Sequence, residues 1–193
     1  MNYNGLIKFD TGNCHGISTT LFVSGCSNRC KGCHNPQTWD CNYGVAFDDN
    51  AKTEFFDAIS NPHISHVVFS GGDPFFPKNR ETIFTLCSDI KNIFPEKKIV
   101  IYSGYTAETL LKERVSNTLK LINFLIDGPY IQDFRTNGRD LRGSYNQRCF
   151  LVQAGANKEF KLIDWSLQYF RDTTTTDQAN FGKKIIVNSP LYG

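Results

Sequence analysis

Short apolar, β-branched runs recur along the chain and end in glycine or turn residues: 20–24, 66–70, 98–103 and 121–127. Such runs predict strands buried in a sheet that is covered on at least one face. Between them the period changes. Within 79–94 the apolar positions Ile83, Leu86, Cys87, Ile90, Ile93 and Phe94 recur at i, i+3, i+4 and i+7, which is one buried face of a helix. Pro95 ends that helix, because a proline disfavours helical geometry in the residue before it. Weaker helical patterns cover 51–60 and 106–115, with Thr106 placed to cap the latter. Beyond residue 154 the pattern is poorer. It predicts a helix over 159–171 and an extended end after the run of threonines at 173–176.

Strands that alternate with helices pair in parallel through right-handed crossovers, so the expected class is α/β. No repeat, low-complexity segment or linker interrupts the chain before about residue 150. The 193 residues leave room for about four to six strand–helix units, short of the roughly 250 residues of a closed eight-strand barrel. An open or partial (βα) barrel is therefore expected over 1–153. Residues 154–193 would form an extension packed on the same domain.

Composition changes this picture little. The chain is 40% hydrophobic with 16 Phe, enough for a sizeable core. Its formal charge is only +2, so no global field draws it to nucleic acid or to a membrane surface. One local exception is basic: Arg135, Arg139, Arg142 and Arg148 fall close together. They read either as a solvated surface or as a contact for a partner or a carboxylate ligand. The N-terminal residues lack the basic-then-apolar layout of a signal peptide, and no run approaches the length of a membrane span. A cytoplasmic protein with reduced thiols is expected, and in that setting seven cysteines matter.

Three of them, Cys26, Cys30 and Cys33, form a CxxxCxxC stretch directly after the first apolar run. Crowding of this kind in a reducing compartment points to metal or redox chemistry. Three thiolates on one loop can bind three corners of a [4Fe–4S] cubane, with Gly25 and Gly32 letting the backbone wrap closely. The fourth iron then stays open to a small molecule, as in a catalytic rather than a closed structural metal site. Zinc is the alternative, with His34 or Cys41 completing a tetrahedral set, although zinc sites usually come as two separated CxxC-type pairs. Cys14, Cys41, Cys87 and Cys149 have no ligand spacing and read as small buried hydrophobes. At the end of the next run stands Ser70-Gly71-Gly72-Asp73-Pro74, either an ordinary turn or a ligand cradle with Asp73 as a fixed acceptor. In a parallel α/β fold both segments lie at the carboxyl ends of strands, where ligands bind.

The stretch GCSNRCKGCHNPQTW (25–39) resembles the cluster loop of radical S-adenosylmethionine enzymes, and in particular the activating proteins of anaerobic (class III) ribonucleotide reductases. The likeness continues through SGGDP (70–74), YSGYT (102–106), DGPY (127–130) and RGSYNQR (142–148), covering roughly residues 1–150. It implies that Cys26, Cys30 and Cys33 hold the cluster, with Gly32, His34 and Asn35 beside the cofactor. It also implies that Gly71, Gly72 and Asp73 bind the methionine amino group of S-adenosylmethionine, and that Ser103 and Gly104 lie against its nucleoside. The activity so implied is reductive cleavage to a 5′-deoxyadenosyl radical that places a glycyl radical on the large subunit of the reductase. A reduced flavodoxin-like protein would supply the electron. Two other readings remain: a small radical enzyme acting on a free metabolite of the deazapurine type, and a structural zinc module.

Overall fold

In a computed structural model of the chain, residues 1–113, 115–136, 141–155, 159–165 and 185–187 are described. Their strands are β1 (Asn2–Asp10), β2 (Ser18–Val23), β3 (Val45–Ala46), β4 (His66–Gly71), β5 (Lys98–Tyr102), β6 (Phe124–Asp127), β7 (Arg148–Ala154), β8 (Phe160–Asp164) and β9 (Ile185–Val187). All lie in one sheet in the order β3-β1-β2-β4-β5-β6-β7-β8-β9. The helices are α1 (Asp49–Ser60), α2 (Arg80–Ile93), α3 (Ala107–Lys112) and α4 (Ser116–Leu119).

The four central strands β2, β4, β5 and β6 run parallel, as the alternation of strand and helix requires. The sheet is nevertheless mixed, with antiparallel strands on both sides of this parallel centre. β1 joins β2 antiparallel, and β7, β8 and β9 each join antiparallel on the other side. No pairing closes the two edges among the described residues. β1 escapes the sequence pattern because its residues are mostly half-buried or exposed, with Asn2, Asn4, Gly5 and Lys8 breaking up the apolar positions.

The expected helix over 159–171 is contradicted at its start. Residues 160–164 form β8, where buried Phe160 and Leu162 alternate with exposed Lys161 while the strand pairs with β7. Residues 166–171 and the threonine run lie outside the described residues. β7 ends at Ala154, where the extension was expected to begin, and β8 continues the same sheet.

Period-two alternation places the core. Val67 and Phe69 on β4, Ile99 and Ile101 on β5, and Leu125 on β6 face the helices and pack with Phe55, Ile59, Leu86 and Ile90. Their neighbours Val68, Val100 and Ile126 face the other way and join Cys14 and Cys149 in a smaller cluster. Strands buried on both faces read as continuous apolar runs, which is why these were visible. Asp48 caps α1 by accepting from the Ala51 N–H at 2.9 Å, and Thr106 caps α3 through the Thr109 N–H at 3.3 Å. No described helix is long and apolar enough to cross a membrane.

Candidate functional site

The carboxyl ends of β2, β4, β5 and β6 meet around one cavity of about 130 Å³. Cys26, Cys30 and Cys33 all line it, each partly exposed. Their loop reverses direction repeatedly, with positive φ at Gly25 (+104°), Arg29 (+45°) and Gly32 (+72°). A short 3₁₀ turn at Pro36–Trp39 braces it. The Gly25 N–H donates to the Thr38 carbonyl at 2.7 Å, and the Cys26 N–H to the Trp39 carbonyl at 3.2 Å. Among the described residues no group of three His, Cys, Asp or Glu side chains could hold a single metal ion. Ligands of a cubane bind separate irons and need not converge on one point.

Gly71 and Gly72 form the second wall. Their lack of a Cβ serves packing as well as ligand access. A Cβ on Gly72 would stand 2.7 Å from the Gly25 carbonyl and 2.9 Å from that of Thr38, so the cysteine loop could not seat on this turn. The Gly72 N–H donates to the Val23 carbonyl at 2.7 Å and the Asp73 N–H to the Gly25 carbonyl at 2.8 Å.

Asp73 does not line the cavity. It is 0% exposed, and its carboxylate accepts from the Phe75 N–H (2.9 Å), the Ser103 hydroxyl (3.0 and 3.2 Å) and the Gly104 N–H (2.9 Å). The expected direct contact of its side chain with the cofactor is replaced by a clamp between the turns after β4 and β5. Burial raises its pKa from 3.8 to about 6 against those hydrogen bonds, which pull it down. Ser103 and Gly104 themselves line the cavity as the third wall.

The fourth wall consists of Gly128, Tyr130 and Gln147. The Gln147 amide donates to the Gly128 carbonyl at 2.8 Å, and its oxygen accepts the Gly143 and Ser144 N–H groups at 2.9 and 3.2 Å. Burial pushes the Cys26 and Cys30 thiols up, and backbone N–H groups of Asn28 and Tyr130 respectively pull them down. Asn28 also lines the cavity and places its amide 3.8 Å from the Cys26 sulfur. Ser27 and Tyr105 join their hydroxyls at 3.0 Å, tying the cysteine loop to the turn after β5.

Three further expected cofactor neighbours stand back from the cavity. His34 is exposed with its ring 5.8 Å from that of Tyr130, and Asn35 spends its carbonyl on Thr38. Gly32 is exposed and faces the Gln132 side chain, which a Cβ would meet at 2.6 Å.

Two members of the basic cluster are committed within the fold. Arg142 is buried and donates to the Gln147 carbonyl at 3.1 Å. Arg148 donates to both Glu108 oxygens at 2.9 and 2.7 Å and to Asp127 at 3.0 Å. Arg135 is exposed, and Arg139 lies outside the described residues. Of the remaining thiols Cys14, Cys87 and Cys149 are buried as expected, whereas Cys41 is partly exposed with the Lys78 ammonium 3.3 Å from its sulfur.

Comparison with known proteins decides the family. A family model described as a 4Fe-4S single cluster domain matches residues 12–150. A relative from Enterobacteria phage T4, named anaerobic ribonucleoside-triphosphate reductase-activating protein, is 38% identical over 150 residues, covering 78% of this chain and 94% of its own. Proteins of the same name from Haemophilus influenzae and Escherichia coli K12 are 37% and 35% identical over 149 residues, each covering 76% of this chain and 96% of the relative. The chain belongs to the anaerobic ribonucleoside-triphosphate reductase-activating proteins. An iron–sulfur cluster is the group that membership brings. β8 and β9 lie beyond the stretch the family model spans. The activating-protein motifs at 127–130 and 142–148 had marked Gly128, Tyr130 and Gln147 in the sequence without giving them a place. Asn28, Trp39 and Ser70 also line the cavity and carried no motif role of their own.

Proposed function

We propose that this chain is a radical S-adenosylmethionine activase, in which Cys26, Cys30 and Cys33 hold a [4Fe–4S] cluster with one iron open to the substrate. The observation that carries the reading is the convergence of three cysteines with the Gly71-Gly72, Ser103-Gly104 and Gly128-Tyr130 turns on one cavity. The open sheet supports taking the fold as the partial (βα) barrel of such enzymes.

Cys26, Cys30 and Cys33 would hold the cluster, which when bound and reduced would supply the one electron needed to break a carbon–sulfur bond of S-adenosylmethionine, giving methionine and a 5′-deoxyadenosyl radical. That radical takes a hydrogen atom from a glycine Cα of the reductase, leaving 5′-deoxyadenosine and a glycyl radical. A reduced flavodoxin-like protein is the proposed electron source.

The chain's own residues bind and orient. With the N–H groups of Gly72 and Asp73 committed to Val23 and Gly25, the turn offers carbonyls to the substrate ammonium. Ser103 and Gly104, locked by Asp73, form the platform for the nucleoside. The Asn28 amide and the Tyr130 N–H lie toward the sulfurs of Cys26 and Cys30, where such donors stabilise the more negative, reduced state.

Anaerobically reduced protein given S-adenosylmethionine should yield equimolar methionine and 5′-deoxyadenosine. A glycyl-radical EPR doublet should appear only when the reductase is added. A doublet-free mixture with normal cleavage would favour a free metabolite as substrate.

A further inference from the structure

Beside the cavity mouth one hairpin carries three exposed apolar side chains. Its legs are joined by the Arg135–Ser144 bridge, by the Tyr145 N–H donating to the Phe134 carbonyl at 2.8 Å, and by the Thr136 N–H donating to that of Gly143 at 3.1 Å. Ile131, Phe134 and Tyr145 are 38%, 52% and 54% exposed. The legs leave the cavity wall at Tyr130 and re-enter it at Gln147, and Gln132 lies on the cysteine loop at Gly32. The legs that carry these apolar side chains therefore start and end at the cavity.

Charge adds direction. Arg29 and Lys31, on either side of Cys30, and Arg135 are exposed and form no ion pair with a described residue. Among the described residues of the two legs, Asp133 is an exposed acid. An apolar rim with surplus positive charge suits a polypeptide carrying apolar and acidic side chains. A small metabolite confined to the cavity would leave this rim uncovered. A protein whose reacting atom must enter the mouth has to lie across it.

We propose that this hairpin is the docking surface for the reductase, covering Ile131, Phe134 and Tyr145 with apolar side chains and meeting Arg29, Lys31 and Arg135 with acids. The inference rests on the activase reading only for the residue delivered into the cavity, a glycine having no side chain to obstruct the approach.

The test uses the full chain, loaded with its cluster anaerobically, and the immobilised large subunit of the anaerobic ribonucleoside-triphosphate reductase. The double substitution Phe134→Ser with Tyr145→Ser should weaken binding by about tenfold or more, since exposed aromatics of this kind anchor interfaces. Arg135→Glu should weaken it less and mainly slow association. Ile93→Ser, an equally exposed apolar position at the far end of α2, should leave binding unchanged. Release of 5′-deoxyadenosine without reductase should match wild type in all three. Wild-type binding by the double variant, or equal weakening by Ile93→Ser, would overturn the proposal. Should wild type cleave no S-adenosylmethionine while the double variant still loses binding, the docking surface stands and the chemistry falls.

Discussion

Asp73 lies buried one residue beyond the Gly-Gly turn and holds two neighbouring turns in register through its carboxylate. Its pKa is about 6 in the folded chain against an ordinary 3.8, so between those values the folded state keeps a proton that the unfolded chain has released. Stability from this residue is thus greatest below about pH 4 and is lost as pH rises through about 6, a span worth about 3 kcal/mol. Asp73→Asn should remove that slope, seen as urea midpoints of the metal-free protein at pH 4.5 and 7 that differ less than in wild type. An unchanged slope would place the titration elsewhere.

At Cys30, substitution by Ala should cut bound iron to roughly a tenth and abolish the visible absorption that dithionite bleaches. Full iron loading would remove it from the ligand set. The cysteines were legible because their chemistry is written in spacing within eight positions. The role of Asp73 was not, because its partners Ser103 and Gly104 are thirty and more positions away, brought near only by the parallel pairing of β4 and β5.

Among the elements, the central strands were readable from period because they are buried on both faces, and α2 because Ile83, Leu86, Cys87 and Ile90 are buried; Ile93, expected on that face, is instead 58% exposed at the helix end. β1 and β8 were not. Their partners are supplied by the sheet, and the nine residues of β1 and five of β8, of mixed polarity, fit more than one period.

Arg148 joins three elements at once. It starts β7, reaches Asp127 at the end of β6 and Glu108 in the first turn of α3, and stacks 4.9 Å over Phe150. The guanidinium holds the Glu108 carboxyl down at about 2, and Asp127 is almost wholly buried. Arg148→Ala would strand that carboxylate, and a loss of about 3–5 kcal/mol in urea unfolding is expected. Arg148→Lys should recover only part of it, because an ammonium cannot reproduce the forked contacts to two acids. Full recovery by Lys would mean that charge alone, without the fork, maintains the junction.

At the scale of the whole molecule, four parallel strands deliver their carboxyl ends to one side, and the antiparallel β7 brings Gln147 back to the same place. The sheet thereby gathers five sequence segments that are far apart in the chain into one cavity. The sequence named the segments, but their mutual packing follows from contacts such as Gly72 against Gly25 and Thr38 that no local pattern encodes.

Cleavage of S-adenosylmethionine at this cavity, with an electron from the cluster, is the step on which the proposed function stands. It is tested most directly by chromatography of a single-turnover mixture of dithionite-reduced, cluster-loaded protein and S-adenosylmethionine. The account predicts 5′-deoxyadenosine and methionine in equal amounts from wild type and neither from Cys30→Ala. Cluster-loaded, fully reduced wild type that leaves S-adenosylmethionine intact, with or without the reductase, would contradict it.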